Sequence, residues 1–290
     1  MIKLQWHIYI KNIVNKQKEI IVNFLFFGGN MANLNFVGYI AMYVVGIVLM
    51  FVISFVTYKK HELKFRQALL FTLLAFAGGM AGTKLMGMIQ TAVLHAAGFS
   101  DSSGMSIYGA VIFVPILVIP LCLLFKQPWK PIMDLLAPSG ITLVGCAKLG
   151  CLFLGCCPGI ECSFGIYYQN YKRTMFPSPI FEFITILLIV IIGFWYIYKH
   201  KKRTVGTVYP LLCMLYGSTR FLWEFLRYYD PAEAKHIILG MSLWQFVSIL
   251  VTLAGAVWFT ALQPEWLHYI KSKFAKPKKQ KNMQHRKRRK

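Results

Sequence analysis

Apolar and polar residues fall along this chain in long blocks, not in the short alternation of strands or the narrow stripe of surface helices. Runs of about 20 mostly apolar residues recur between short polar stretches, the length of helix that crosses a bilayer core of about 30 Å. Seven such runs are predicted as membrane-spanning helices, at about 34–58, 67–97, 105–125, 131–157, 176–198, 205–227 and 237–262. The second is too long for one straight crossing. It carries Gly78-Gly79-Met80-Ala81-Gly82-Thr83-Lys84 in its middle, which predicts close small-residue packing and a break in the helix. Residues 1–30 mix four lysines with isoleucines and aromatics and read as an interfacial helix followed by a short dip at 24–29, with no secretory signal peptide.

The expected fold class is therefore an all-α integral membrane protein with seven transmembrane helices. Residues 1–32 form an N-terminal interfacial segment, 33–263 the transmembrane domain, and 264–290 a basic tail. Composition agrees: 57% of residues are hydrophobic and 10 are acidic, so reasoning suited to soluble domains is set aside. A net charge of +22 ordinarily suggests nucleic acid, but here the basic residues sit in short loops and in the tail. No nucleic-acid partner is expected. Lys59, Lys60, Lys64 and Arg66 follow the first run, Lys126 and Lys130 the third, and Lys199, Lys201, Lys202 and Arg203 the fifth. The positive-inside rule then puts these loops and the tail in the cytoplasm and the N-terminus outside, against its own lysines. The tail, ending Arg286-Lys-Arg-Arg-Lys290, is expected to lie on anionic inner-leaflet lipid.

Charges inside apolar runs cost about 2.5–3.5 kcal/mol each on insertion scales, so they need a reason. The strongest such signal is Tyr216-Gly-Ser-Thr-Arg220-Phe-Leu-Trp-Glu224-Phe-Leu-Arg227. Tyr216, Arg220 and Glu224 recur every fourth residue and share one helix face, with Arg227 close to it. That face reads as a headgroup-binding cleft, or as an Arg220–Glu224 pair that neutralises itself. Lys148-Leu-Gly-Cys-Leu-Phe-Leu-Gly-Cys-Cys-Pro-Gly159 packs glycines, cysteines, a proline and a cation into the end of the fourth run and reads as the opposite wall. Glu182, in the fifth run, is expected to be a structural partner of Arg220 or Lys148. Asp134 reads as a helix cap or a partner of Lys130, or as a functional group.

Seven cysteines, most of them in apolar sequence, do not make a disulfide framework. The spacing of Cys151, Cys156, Cys157 and Cys162 is not that of a zinc site, so no metal and no cofactor are expected. Small-residue packing explains these cysteines better than a strained Cys156–Cys157 pair does.

Taken together, Asp134-Leu-Leu-Ala-Pro138, Lys148 to Gly159, Phe176-Pro-Ser-Pro-Ile-Phe-Glu182, the Tyr216–Arg227 stretch with Asp230, and Gly240-Met-Ser-Leu-Trp-Gln245 resemble the prolipoprotein diacylglyceryl transferase family. The chain looks like a divergent Gly-Cys-Cys member. Lys148 stands where the family carries arginine, Cys151 where it carries asparagine, Cys156 where it carries glutamate, and Tyr108 where it carries histidine. The resemblance implies transfer of diacylglyceryl from phosphatidylglycerol to the lipobox cysteine of a prolipoprotein, at the outer leaflet of the bacterial plasma membrane. It implies Arg220, Glu224 and Tyr108 as catalytic residues, and Lys148, Gly155, Gly159, Tyr216 and Arg227 as the binding surface for the phosphatidylglycerol headgroup, in a monomer. The alternatives are a non-catalytic lipid- or lipoprotein-binding paralogue and a membrane thiol oxidoreductase.

Overall fold

Apolar side chains too numerous for one small core are arranged here around a single central helix. The computed structural model describes residues 31–96, 104–168, 170–199, 203–229 and 241–263. Among them are seven α-helices: α1 (Met31–Thr57), α2 (Phe65–Ala96), α3 (Ile107–Leu124), α4 (Trp129–Leu154), α5 (Ser178–Lys199), α6 (Val208–Phe225) and α7 (Leu243–Ala261). All but α6 are long and apolar enough to cross a membrane. α6 has 18 residues but carries Arg220 and Glu224, which dilute its apolar character. The predicted interfacial helix and the basic tail lie outside the described residues.

Helix α4 is the axis, packing against α1, α2, α3, α5 and α6. Ile132, Met133 and Leu135 on it are fully buried. Outward-facing residues of the other helices, such as Val44, Leu123, Leu187 and Leu253, stay exposed, as lipid-facing side chains must. Because lipid tails are as apolar as leucine, helix association rests on close packing at small residues. Gly46 of α1 meets Cys146 and Leu143 of α4, and Gly82 of α2 lies directly on Gly109 of α3. The predicted small-residue contact at 78–84 is thus present, but the predicted break is not, and α2 runs unbroken through it. Pro115, Pro120 and Pro138 also stay within their helices, and the Val111 carbonyl, which Pro115 deprives of its N–H partner, accepts the Tyr209 hydroxyl at 2.9 Å.

Asp134, fully buried, does not pair with Lys130. Its Oδ2 meets Arg203 Nη1 at 2.6 Å and the Gly206 N–H at 2.8 Å, and its Oδ1 accepts the Val208 N–H at 2.9 Å. The carboxylate therefore caps the start of α6 from across the bundle, satisfying N–H groups that a helix start leaves open. Lys130 instead lies over the Trp129 ring, 5.7 Å from its centroid.

The non-helical element was not legible in the apolar pattern. β1 (Glu161–Tyr168) and β2 (Arg173–Met175) form a two-stranded antiparallel ribbon between α4 and α5. The chain enters it through Gly155, which ends α4 in the left-handed conformation at φ 65°. Helix α7 begins at Leu243, later than the apolar run suggested. A capping box fixes that start: Ser242 Oγ accepts the Gln245 N–H at 3.1 Å while Gln245 Oε1 accepts the Ser242 N–H at 3.0 Å.

Candidate functional site

Where α4, α5 and α6 meet, five charged side chains form one cluster, four of them buried and Arg227 partly exposed. Glu182, on α5 and 4% exposed, is its hub. Its Oε2 lies 2.6 Å from Lys148 Nζ of α4, and its Oε1 lies 3.4 Å from Arg220 Nη1 of α6 and 4.0 Å from Arg227 Nη1 beyond the end of α6. Arg220 Nη2 reaches Glu224 Oε2 at 2.7 Å, one turn along the same helix. Glu224 Oε1 accepts the Ser242 hydroxyl at 3.1 Å, so the cap of α7 also holds the cluster. Three cations against two carboxylates leave one unit of positive charge in a low-dielectric setting, where it acts strongly on an anion.

The fourth-residue spacing on α6 performs as its geometry requires, with Tyr216, Arg220 and Glu224 all buried along one face. Beside it, Glu182, Thr185, Ile186, Tyr216, Thr219, Arg220 and Trp223 line a crevice between α5 and α6. Arg220 donates one N–H to Glu182 and lies in ion-pair contact with Glu224, leaving other donors of its five for a ligand in that crevice. Aromatic rings flank the entrance, Phe176 stacking on Phe181 at 4.7 Å and lying 6.3 Å from Trp223.

Tyr108 sits behind this face. Its ring stacks on Trp244 at 5.6 Å and tilts against Tyr216 at 6.0 Å, and its hydroxyl bonds to Ser248, whose own proton goes to the Trp244 carbonyl. The two glycines expected on the binding surface shape the loop that follows α4. The Gly155 carbonyl accepts from Asn170 Nδ2 at 3.2 Å. Gly159 pairs with Arg227 through the backbone, where a Cβ would meet Ser178 Oγ at 2.6 Å and the Leu226 carbonyl at 2.7 Å. The loop after α4 is zipped to the end of α6 by Ile160 N–H to the Leu226 carbonyl at 2.9 Å and Tyr228 N–H to the Pro158 carbonyl at 3.2 Å. This is what carries Arg227 to the cluster.

Sequence reading missed two things here. Glu182 was expected as a partner of one cation, and it joins three. Its signal was a lone carboxylate inside an apolar run. The second is a sulfur group: the Sγ atoms of Cys151, Cys156 and Cys157 lie within 4.8 Å of one another, with Arg227 Nη2 at 3.2 Å from Cys157 Sγ. Hydrogen bonds from the Cys151 and Cys156 thiols, with Arg227 and Lys148 nearby, hold the Cys157 thiol well below the usual thiol range, while the same hydrogen bonding pushes Cys156 up. Burial and the three neighbouring sulfurs push the Tyr168 phenol up to about 12, and its buried hydroxyl has no hydrogen-bond partner among the described residues.

The sequence model of the prolipoprotein diacylglyceryl transferase family matches residues 30–261. A phosphatidylglycerol--prolipoprotein diacylglyceryl transferase of Clostridium tetani is 27% identical over 231 residues, covering 75% of this chain and 90% of the relative. A second transferase of that name, from Clostridium perfringens, is 31% identical over 198 residues, covering 63% of this chain and 74% of the relative. A third, from Nitrosomonas europaea, is 28% identical over 157 residues, covering 52% and 55%. With a match spanning the whole helical region and all of the charged cluster, the chain belongs to the prolipoprotein diacylglyceryl transferase family, as a multi-pass transferase of the bacterial plasma membrane.

Proposed function

We propose that this protein transfers a diacylglyceryl group from phosphatidylglycerol to the lipobox cysteine of a prolipoprotein, as a monomer working at the outer leaflet. The observation that carries this reading is the surplus positive charge of the Lys148–Glu182–Arg220–Glu224–Arg227 cluster beside a crevice between α5 and α6. Surplus positive charge there attracts an anionic headgroup. Loop charges support the orientation, with seven crossings, N-terminus outside and C-terminus in the cytoplasm.

In this reading the acceptor's cysteine sulfur attacks C3 of the glyceryl group and the S–C bond forms as the C3–O bond breaks. Glycerol-1-phosphate leaves with the bonding electrons, and the proton lost by the thiol offsets the charge the phosphate gains. Arg220 and Arg227 face that charge with planar, multidentate guanidinium groups, and Lys148 supplies a point charge. Glu224 and Glu182 hold Arg220 in place from two sides. Tyr216 lines the crevice and Tyr108 supports it from behind through its ring. Gly155 and Gly159 keep the wall close.

The test is direct. Purified protein, phosphatidylglycerol and a labelled lipobox peptide should give a thioether-linked product, and the gene should rescue a cell depleted of its own transferase. No product from folded protein would sink the enzyme reading and leave a lipid-binding paralogue. Tyr108→Phe should keep transfer within about tenfold of the parent, the worth of one hydrogen bond, because Ser248 retains the Trp244 carbonyl.

A further inference from the structure

Three sulfurs that the transfer chemistry leaves unused meet where α4 ends. Cys151 is in the last turn of α4, and Cys156 and Cys157 are in the reversal that follows. Their Sγ atoms lie within 4.8 Å of one another. Sulfurs bound to one zinc-sized ion at about 2.3 Å can be no more than about 4.6 Å apart, so small thiol rotations bring all three into range.

The backbone is bent to make this meeting. Gly155 turns left-handed at φ 65°, and Cys157 itself sits at φ 60°. That conformation costs an L residue about 1–2 kcal/mol, and glycine would adopt it freely. The chain keeps a sulfur there, and the turn folds it back onto the other two. Small-residue packing does not call for that.

Charge agrees with the geometry. Three thiolates on a divalent ion carry one negative charge, and a guanidinium already faces the sulfurs. Arg227 Nη2, 3.2 Å from Cys157 Sγ, supplies an N–H to the sulfur from outside the trio. The donor set holds sulfur alone, which selects zinc-like ions over magnesium or calcium. Each of the three cysteines is partly exposed, so an ion can enter.

We propose that Cys151, Cys156 and Cys157 form a three-thiolate site for a thiophilic divalent ion of the zinc class, with a fourth position open to the thiol of the acceptor. The use of that fourth position rests on the transfer reading above. The acceptor cysteine joins the ion as a thiolate, giving its proton to solvent, and the S–C bond to the glyceryl carbon then forms as the C–O bond to the departing phosphate breaks. The chain has Tyr108, a poor base, where the family resemblance expects a histidine. Thiolate delivery by an ion makes that base dispensable.

The experiment uses full-length protein in detergent without a polyhistidine tag, stripped by chelator under reducing conditions and reloaded with zinc or cobalt. Elemental analysis should find one ion per chain, and the cobalt form should show thiolate-to-cobalt charge-transfer absorption. Cys151→Ser and Cys156→Ser should each weaken binding by more than the roughly 10–100-fold that loss of an outer-shell partner costs. Cys162→Ser, a cysteine outside the trio, should leave it unchanged. A lipobox peptide should shift the cobalt bands, and the same peptide with serine for cysteine should not. Absence of bound ion with all three thiols free to alkylation, a Cys156–Cys157 disulfide in the reduced preparation, or undiminished binding in Cys156→Ser would each overturn the site. An ion bound by protein that makes no thioether would refute the transfer reading and keep the site. Thioether formed with no ion would do the reverse.

Discussion

Arg220→Ala should abolish detectable transfer, a loss of about 10²–10³-fold or more, while the protein still inserts in the membrane. Arg220 is the one cation of the cluster that bridges both carboxylates, at 3.4 Å to Glu182 and 2.7 Å to Glu224, and it also lines the crevice. In the proposed reaction, removing it takes away a fixed donor aimed at the departing phosphate, whose charge grows most in the transition state. It leaves the remaining ions balanced: Glu182 keeps Lys148 at 2.6 Å, and Glu224 keeps the Ser242 hydroxyl at 3.1 Å. Insertion should survive for that reason. Arg220→Lys should restore packing without restoring transfer, since an ammonium reaches one carboxylate and lacks the fork. Membrane-fraction yield and the thioether assay, run side by side, read both effects. Transfer unchanged in Arg220→Ala would mean that the reacting phosphate lies elsewhere.

Glu182→Gln should do the opposite, losing the fold first. Glu182 is 4% exposed and faces Lys148, Arg220 and Arg227. Neutralising it leaves Glu224 alone against three cations and raises the surplus from one unit to two. Breaking a buried ionic group by removing one partner costs about 3–5 kcal/mol, because the stranded charges cannot be hydrated. Thermal unfolding in detergent should move down sharply, and added phosphatidylglycerol should recover part of the shift by supplying the missing anion. An unshifted unfolding temperature would show that water reaches the cluster and screens it. The pair of variants therefore separates the work of Glu182 from that of the cation: in the proposed reaction Glu182 assembles the site, and Arg220 acts in it.

The helical segments were largely legible from the sequence because a bilayer sets one length for a crossing. Apolar runs near 20 residues gave helices whose ends fall within a few residues of α1 to α6. The start of α7 was misjudged, since the capping box at Ser242 sets it and hydropathy does not register caps. The Arg220–Glu224 pair was legible for a local reason, as residues four apart on a helix meet whatever surrounds them. Neither the three-fold use of Glu182 nor the Asp134–Arg203 pair could be read that way. Their partners lie 34 to 69 positions away along the chain, and their meeting depends on how α4, α5 and α6 pack.

The cysteines show the same division. The stretch from Lys148 to Gly159 stood out for its mixture of glycine, cysteine and cation, and its spacing argued against a metal. Spacing rules assume that the chain between ligands is a plain loop or helix turn. Here a left-handed glycine and a left-handed cysteine reverse the chain within three residues and bring Cys156 and Cys157 back to Cys151. By itself, then, the sequence determined the membrane class and the charged face of α6, because length, apolar content and helical spacing are local properties, and its motifs carried the family resemblance. Tertiary structure alone decided which carboxylate gathers the three cations and that three sulfurs share one point. The first depends on contacts between segments distant in the chain, and the second on backbone turns that residue identity permits but does not dictate.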